Sequence, residues 1–155
     1  MGTINGMAVP ANDAIGTQGT TTTNGVTVTS GTIDITSIAN ACPCASAAGY
    51  TTVLVLTVGV LGAVLPTGAY SFPSSGNPSG NNPVGDAHYV VNDPAHAHGT
   101  TLLSATSGSI TLSQASSSTT VGSFDIVFPT GDHLTGTFSA PTCAAAEAAD
   151  AAACP

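Results

Sequence analysis

The chain reads VGSFDIVF over Val121–Phe128, PTGD over Pro129–Asp132 and HLTGTF over His133–Phe138. In the first and last of these segments apolar and polar residues alternate, and the segment between them contains proline and glycine. Alternation with a period of two places successive side chains on opposite faces of a strand. A short connection of this composition closes a tight hairpin. We therefore predict an antiparallel β-hairpin over residues 121–138.

The same strand character extends through most of the chain. Further strands are predicted at Thr3–Val9, Val26–Thr29, Thr32–Thr36, Val53–Val60, Ala69–Phe72, Ala87–Val91 and Gly108–Ser113. Asn5-Gly6 forms a bulge or turn within the first, and the second and third are either a hairpin or one strand bent at Gly31. Residues 73–85 are rich in Pro, Ser, Gly and Asn and are predicted to form a surface loop.

These patterns predict one all-β domain over residues 1–143, built as an antiparallel β-sandwich or a closed β-barrel of about eight or nine short strands. Residues 144–155 form an alanine-rich tail that ends near Cys154. Because alanine is the strongest helix former, we expect a short helix over Ala144–Ala153.

The charge composition is unusual, since the 155 residues include eight Asp or Glu and no Lys or Arg. Binding of nucleic acid and of anionic lipid depends on Lys and Arg, so we expect neither partner. The longest apolar run, Val53–Leu65, is too short for the roughly 18 residues of a membrane helix, and no membrane span is expected.

Four cysteines point to an oxidising compartment. Cys42 and Cys44 flank one proline, so disulfide geometry favours pairing them with Cys143 and Cys154 rather than with each other. The connectivity within these four stays open, as does cross-linking between chains. Zinc is the rival interpretation, but the usual C-x2-C spacing is missing. We expect a secreted, extracellular or cell-surface protein whose export signal, not present in this chain, was removed.

The histidines are the remaining candidate site. His96 and His98 lie on one side of an extended chain, with His88 and Asp93 nearby. Imidazole and carboxylate ligands suit a divalent metal such as Zn, Cu or Ca. In the alternative interpretation, His96 and His98 belong to a solvated loop bounded by proline and glycine. No cofactor is required by either interpretation.

The C-terminal third carries the pattern Gly122-x-Phe124-Asp125 followed by Gly136-x-Phe138-x-Ala140-Pro141-x-Cys143. Over residues 107–143 this pattern resembles a group of uncharacterised small secreted or lipid-anchored β-rich proteins of myxobacteria and related bacteria. The resemblance implies export, an all-β fold and a disulfide at Cys143. It implies no activity.

The sequence contains neither a G-x-S-x-G nor an H-E-x-x-H motif, and we expect no catalytic residues and no enzyme. Natural sheet edges are commonly guarded by lysine, which this chain lacks. We therefore predict a structural protein that self-associates through strand addition or disulfides, into a filament or surface layer. The alternative is a monomeric secreted binding module with a zinc or copper site at His88, His96 and His98.

Overall fold

A computed structural model describes residues 2–9, 11–37, 53–72, 82–91 and 100–142. Several predicted features lie outside these residues: Cys42, Cys44, Cys143 and Cys154, the metal-ligand candidates Asp93, His96 and His98, and the alanine-rich tail. Throughout the described ranges the regular structure consists of strands, and no helix is present.

The strands are β1 (Thr3–Ile4), β2 (Met7–Ala8), β3 (Asp13–Thr23), β4 (Val26–Thr36), β5 (Val53–Leu61), β6 (Gly68–Ser71), β7 (Val84–Val91), β8 (Thr100–Ser104), β9 (Ser107–Ala115), β10 (Thr119–Val127) and β11 (His133–Pro141).

The main sheet runs in the order β11-β10-β9-β6-β7-β5-β4-β3, with β8 also paired to β7. Its pairs are antiparallel except for a single parallel pair, Ser71 with Val84, between β6 and β7. The sheet curls until its two ends meet, because Gly16 of β3 forms an isolated bridge with Thr142, just beyond β11. The predicted all-β fold is confirmed, and it takes the form of a nearly closed barrel.

A side chain completes the seam where the two ends of the sheet meet. The amide nitrogen of Gln18 donates to the carbonyl oxygen of Ser116 and lies 2.9 Å from each of Ser116 O and Thr120 Oγ1. Gln18 therefore joins β3 to the β9–β10 turn, two residues beyond the last backbone bridge. At this position a side chain, rather than backbone pairing, provides the hydrogen bonds between the two ends of the sheet.

The core fills the inside of the barrel, where alternate residues of each strand meet as the period-two pattern predicts. It includes Ile33, Ile35, Leu54, Leu56, Val58, Tyr70, Ala87, Tyr89, Ile110, Leu112, Phe124, Ile126, Phe128, Leu134 and Phe138. The Tyr70 hydroxyl reaches this interior and donates to Pro66 O at 2.7 Å, and burial raises the pKa of Tyr70. Its polar end is thereby satisfied within the fold.

The N-terminal hairpin packs against this core. Strands β1 and β2 are joined by Asn5-Gly6, whose φ angles of 51° and 75° define a type I′ turn. Ile4 is completely buried, and the Asn5 N–H donates to Asp132 Oδ2 at 2.9 Å. The segment predicted as one strand with a bulge or turn is thus two short strands with a turn.

Two local features differ from the sequence expectations, and a third decides between the two arrangements predicted for residues 26–36. Strands β3 and β8 were not predicted, because neither shows apolar alternation and each is defined by its pairing with a neighbour. The predicted surface loop ends earlier than expected, since Val84 and Gly85 belong to β7. Residues 26–36 form one strand, in which Gly31 makes room for Leu65.

Candidate functional site

Strands β3 and β4 extend beyond the rest of the barrel as a two-stranded hairpin. Pairing of β4 with β5 ends at Val28 and Leu61, whereas pairing of β3 with β4 continues to Thr23 and Val26. The connecting residues Asn24 and Gly25 have φ angles of 52° and 77°, again a type I′ turn. We call residues 19–29 the arm.

Threonine pairs hold the two strands of the arm together. The Thr20 and Thr29 hydroxyls lie 3.1 Å apart, and those of Thr22 and Thr27 lie 3.0 Å apart. Thr29 donates to Gly62 O at 2.7 Å, so the Thr20 hydroxyl is the donor in its pair. Cross-strand pairs of this kind stabilise a ribbon that has no core of its own, each by a few tenths of a kcal/mol.

One edge of the arm carries backbone groups that point away from β4. The two-residue turn makes Thr23 and Val26 a hydrogen-bonded pair, so the N–H and C=O of Thr20 and Thr22 point outward. The N–H and C=O of Gly16 also point away from β4, and on that side Gly16 forms its bridge with Thr142. In the described part of the chain, no strand lies beside residues 19–23. We call this the free edge of β3.

The arm is also uncharged. The charged residues nearest to it along the chain are Asp13 and Asp34, and residues 14–33 contain none. On a molecule of net charge −8, two copies would repel each other least where no carboxylate lies. No lysine guards the edge, because the chain has none.

Exposed apolar side chains lie along this arm, at the end of β5 and on the segment that follows it. The large hydrophobic residues exposed among those described are Val26 (52%), Val28 (40%), Leu61 (39%) and Val64 (75%). Val26 and Val28 share the outer face of β4, and Leu61 lies opposite Val28 on the same face. Val64 follows three residues after Leu61. We call these four residues the apolar arm face.

A second group of polar side chains lies on the outer face of β7 and β8. His88 Nε2 is 2.9 Å from Asp86 Oδ2, and His88 Nδ1 is 3.0 Å from Ser104 Oγ. Both ring nitrogens are engaged, so a cation would have to replace one of these contacts. Within the described ranges no group of three or more His, Cys, Asp or Glu is placed to hold a metal ion.

Asp86, His88 and Ser104 form the carboxylate–imidazole–hydroxyl sequence known from serine hydrolases. Such chemistry also requires hydrogen-bond donors aimed at the developing oxyanion. The two N–H groups that follow Ser104 are already engaged: Ala105 donates to Ala87 O at 2.9 Å and Thr106 to Val127 O at 2.8 Å. These two amides therefore cannot serve as an oxyanion hole.

Two further acidic positions were not predicted as sites. Asp125 Oδ1 lies 2.7 Å from His133 Nε2, and both side chains are more than half exposed. Asp34, by contrast, is mostly buried on the outer side of β4, opposite Ile15 and Val55. This burial raises the pKa of Asp34 to about 6. Only the strand register places Asp34 between apolar neighbours.

Comparisons with protein-family models, curated proteins and solved structures found no match. In the part of the chain that the structure describes, no helix is long and apolar enough to cross a membrane. The features of the molecule that bear on function are the free edge, the apolar arm face and the charge distribution.

Proposed function

We propose that this is an exported, non-enzymatic extracellular structural protein whose copies associate through the free edge of β3. The observation that carries the proposal is the outward-pointing backbone of Thr20 and Thr22 on an uncharged, unguarded edge. Unpaired strand edges are templates for pairing with another chain. The engaged amides after Ser104 support the non-enzymatic part of the proposal.

A second copy of the chain is the occupant that this edge fits. Two β3 edges can pair antiparallel about a twofold axis at Thr21, which places Thr20 of each copy opposite Thr22 of the other. The outward-pointing groups of both strands then satisfy each other. The paired segments carry no carboxylate, because the nearest ones along the chain are Asp13 and Asp34. A two-stranded ribbon is marginal in water, so the added strands also stabilise the arm.

The extracellular part of the proposal has separate support. Four cysteines in a chain of 155 residues suit an oxidising compartment. Disulfides between copies would add to strand pairing, and non-reducing electrophoresis detects them independently of it.

The test is Thr20→Pro, which removes an outward N–H without removing a hydrogen bond to β4. Thr20→Val is the matched control, because both changes delete the hydroxyl bonded to Thr29 but only valine keeps the N–H. We expect sedimentation velocity to show concentration-dependent association of the wild type and of Thr20→Val. The proline variant should need at least a roughly tenfold higher concentration to associate, which corresponds to about 1.4 kcal/mol.

Equal association of Thr20→Pro and Thr20→Val, or a wild type that stays monomeric at all concentrations, would contradict the proposal. Circular dichroism and thermal unfolding of each variant verify that the barrel remains folded.

A further inference from the structure

Pairing of β3 edges by itself closes into a dimer. A twofold contact uses the same surface on both copies, so each edge is consumed when the dimer forms. Anything larger than a dimer requires a second surface on the same chain. The question is therefore which described surface remains available once the edges are paired.

We propose that the apolar arm face, Val26, Val28, Leu61 and Val64, is a second self-association surface that joins edge-paired dimers into larger assemblies. This inference rests on the proposed edge pairing and adds a surface on a different side of the arm. The edge is formed by backbone groups in the plane of the sheet, whereas the side chains of Val26, Val28 and Leu61 project from its outer face.

On the outer face, the large apolar side chains that are exposed among the described residues lie at the arm. Further along the same face of β4 and β5, the corresponding residues are Ser30, Thr32 and Thr57, as a solvated sheet face requires. Toward the arm the cross-strand pair is Val28 and Leu61, followed by Val26. Val26, Val28 and Leu61 thus form one local group of exposed apolar side chains, and such groups mark interaction sites.

Charge and symmetry identify the occupant as another copy of the chain. A twofold axis perpendicular to the sheet leaves both apolar arm faces of the dimer on the same side. A second dimer can place its two apolar arm faces against the two of the first dimer. Each apolar arm face is then covered by the same face of another copy. Along the chain no carboxylate lies between residues 14 and 33, so the arm itself brings no charge into a contact between molecules of net charge −8.

The size of the surface predicts a strict order of assembly. Four partly exposed side chains cover at most a few hundred Å², well below the roughly 800 Å² per partner of a stable complex. A single pair of apolar arm faces is therefore too small to hold two free copies together. An edge-paired dimer carries two apolar arm faces, so the contact area between two dimers is twice that between two single copies. Once the first pair of faces is in contact, the second pair forms within the same complex.

The experiment compares the wild type with Val26→Thr/Val28→Thr. Threonine has nearly the shape of valine and is also enriched in strands, so at these exposed positions the arm keeps its shape and its free edge. Val121→Thr, a half-buried outer-face position on β10, is the matched control. By sedimentation velocity and negative-stain microscopy we expect assemblies larger than dimers for the wild type and for Val121→Thr. The double variant should stop at dimers.

The possible failures are distinguishable. Assemblies of wild-type size in the double variant would overturn the second surface, and so would a wild type that stops at dimers. In either case edge pairing stands. A monomeric wild type would overturn both proposals. Dimers of the double variant that dissociate on adding Thr20→Pro would support both.

Discussion

At the scale of single residues, the glycine and phenylalanine pattern of the final hairpin encodes packing. The register places Gly122 opposite Phe138 and Phe124 opposite Gly136. A Cβ atom at Gly136 would lie 2.7 Å from Phe124 Cζ, and one at Gly122 would lie 2.8 Å from Phe138 Cζ. Each aromatic ring thus covers the glycine of the neighbouring strand. The recurring glycine and phenylalanine spacing of this hairpin is explained by this reciprocal contact.

Substitution of Gly122 tests this packing. In Gly122→Ala the new methyl group would approach Thr111 O to 2.2 Å, a backbone atom that cannot move without disturbing β9. We expect a loss of about 3 kcal/mol in the free energy of unfolding, measured by urea denaturation. Gly59→Ala is the control, because its Cβ meets nothing closer than Val84 Cγ2 at 3.8 Å. Similar stability of the two variants would argue against the close approach of β9 and β10.

Asp34 makes a second prediction at this scale. Burial raises its pKa from 3.8 to about 6, so the folded state binds a proton more tightly than the unfolded chain does. Its contribution to the free energy of unfolding therefore falls as the pH rises from about 4 to 6, by roughly 2–3 kcal/mol, and stays low above that window.

Asp34→Asn cannot ionise and should lose this pH-dependent penalty. We expect the variant to exceed the wild type in stability at pH 7.5 and to match it near pH 4, as measured by thermal and urea unfolding at both values. If the difference in stability between Asp34→Asn and the wild type were the same at pH 7.5 and near pH 4, the raised pKa of Asp34 would be ruled out. Asp132 contributes with the opposite sign, because its bonds to Thr130 and Asn5 lower its pKa.

At the scale of elements, two hairpins with the same turn chemistry have different surroundings. Asn5-Gly6 and Asn24-Gly25 both form type I′ turns. The first hairpin buries Ile4 and contacts Asp132, whereas the second extends past β5 and exposes Val26. Turn residues determine how two strands are joined. The side chains that flank the turn determine whether the hairpin packs against the core or stands in solvent.

The seam between β3 and the β9–β10 turn provides the element-scale prediction. Gln18→Ala removes the donor to Ser116 O and the partner of the buried Thr120 hydroxyl. We expect a loss of about 1–2 kcal/mol and faster amide exchange around Gly16, because the barrel opens there first. Gln114→Ala, an exposed glutamine on β9, should change the stability by less than about 0.5 kcal/mol. Unchanged exchange at Gly16 in the Gln18 variant would show that the seam does not depend on this side chain.

At the scale of the whole molecule, the uncharged arm matters because the protein carries a net charge of −8. Without Lys or Arg, no carboxylate can form an ion pair with a permanently charged side chain, and Asp86 and Asp125 are paired with histidines instead. Net charge of this size keeps copies apart except where the surface is neutral. The arm is such a region.

Part of this architecture was predictable from local patterns. The final hairpin, β5 and β9 follow from apolar alternation, and the turn at residues 129–132 follows from its composition. Strand β3 could not be predicted in this way, since Gly16–Thr23 contains only Gly, Thr and Gln and carries no apolar period. Of the predicted metal ligands, His88 is the one that the structure describes. Its partner Ser104 lies on another unpredicted strand.

The sequence by itself determined the all-β class, the alternation of buried and exposed residues, the bulge or turn at Asn5-Gly6 and the absence of Lys and Arg. These properties depend on each residue and its near neighbours along the chain. Only the tertiary structure decided the insertion of β6 between β9 and β7, the closure at Gly16 and Gln18, the contacts of His88 and the grouping of the exposed apolar residues. Those features depend on pairing between distant segments, because a period of two specifies which face of a strand is buried but not which strand lies beside it.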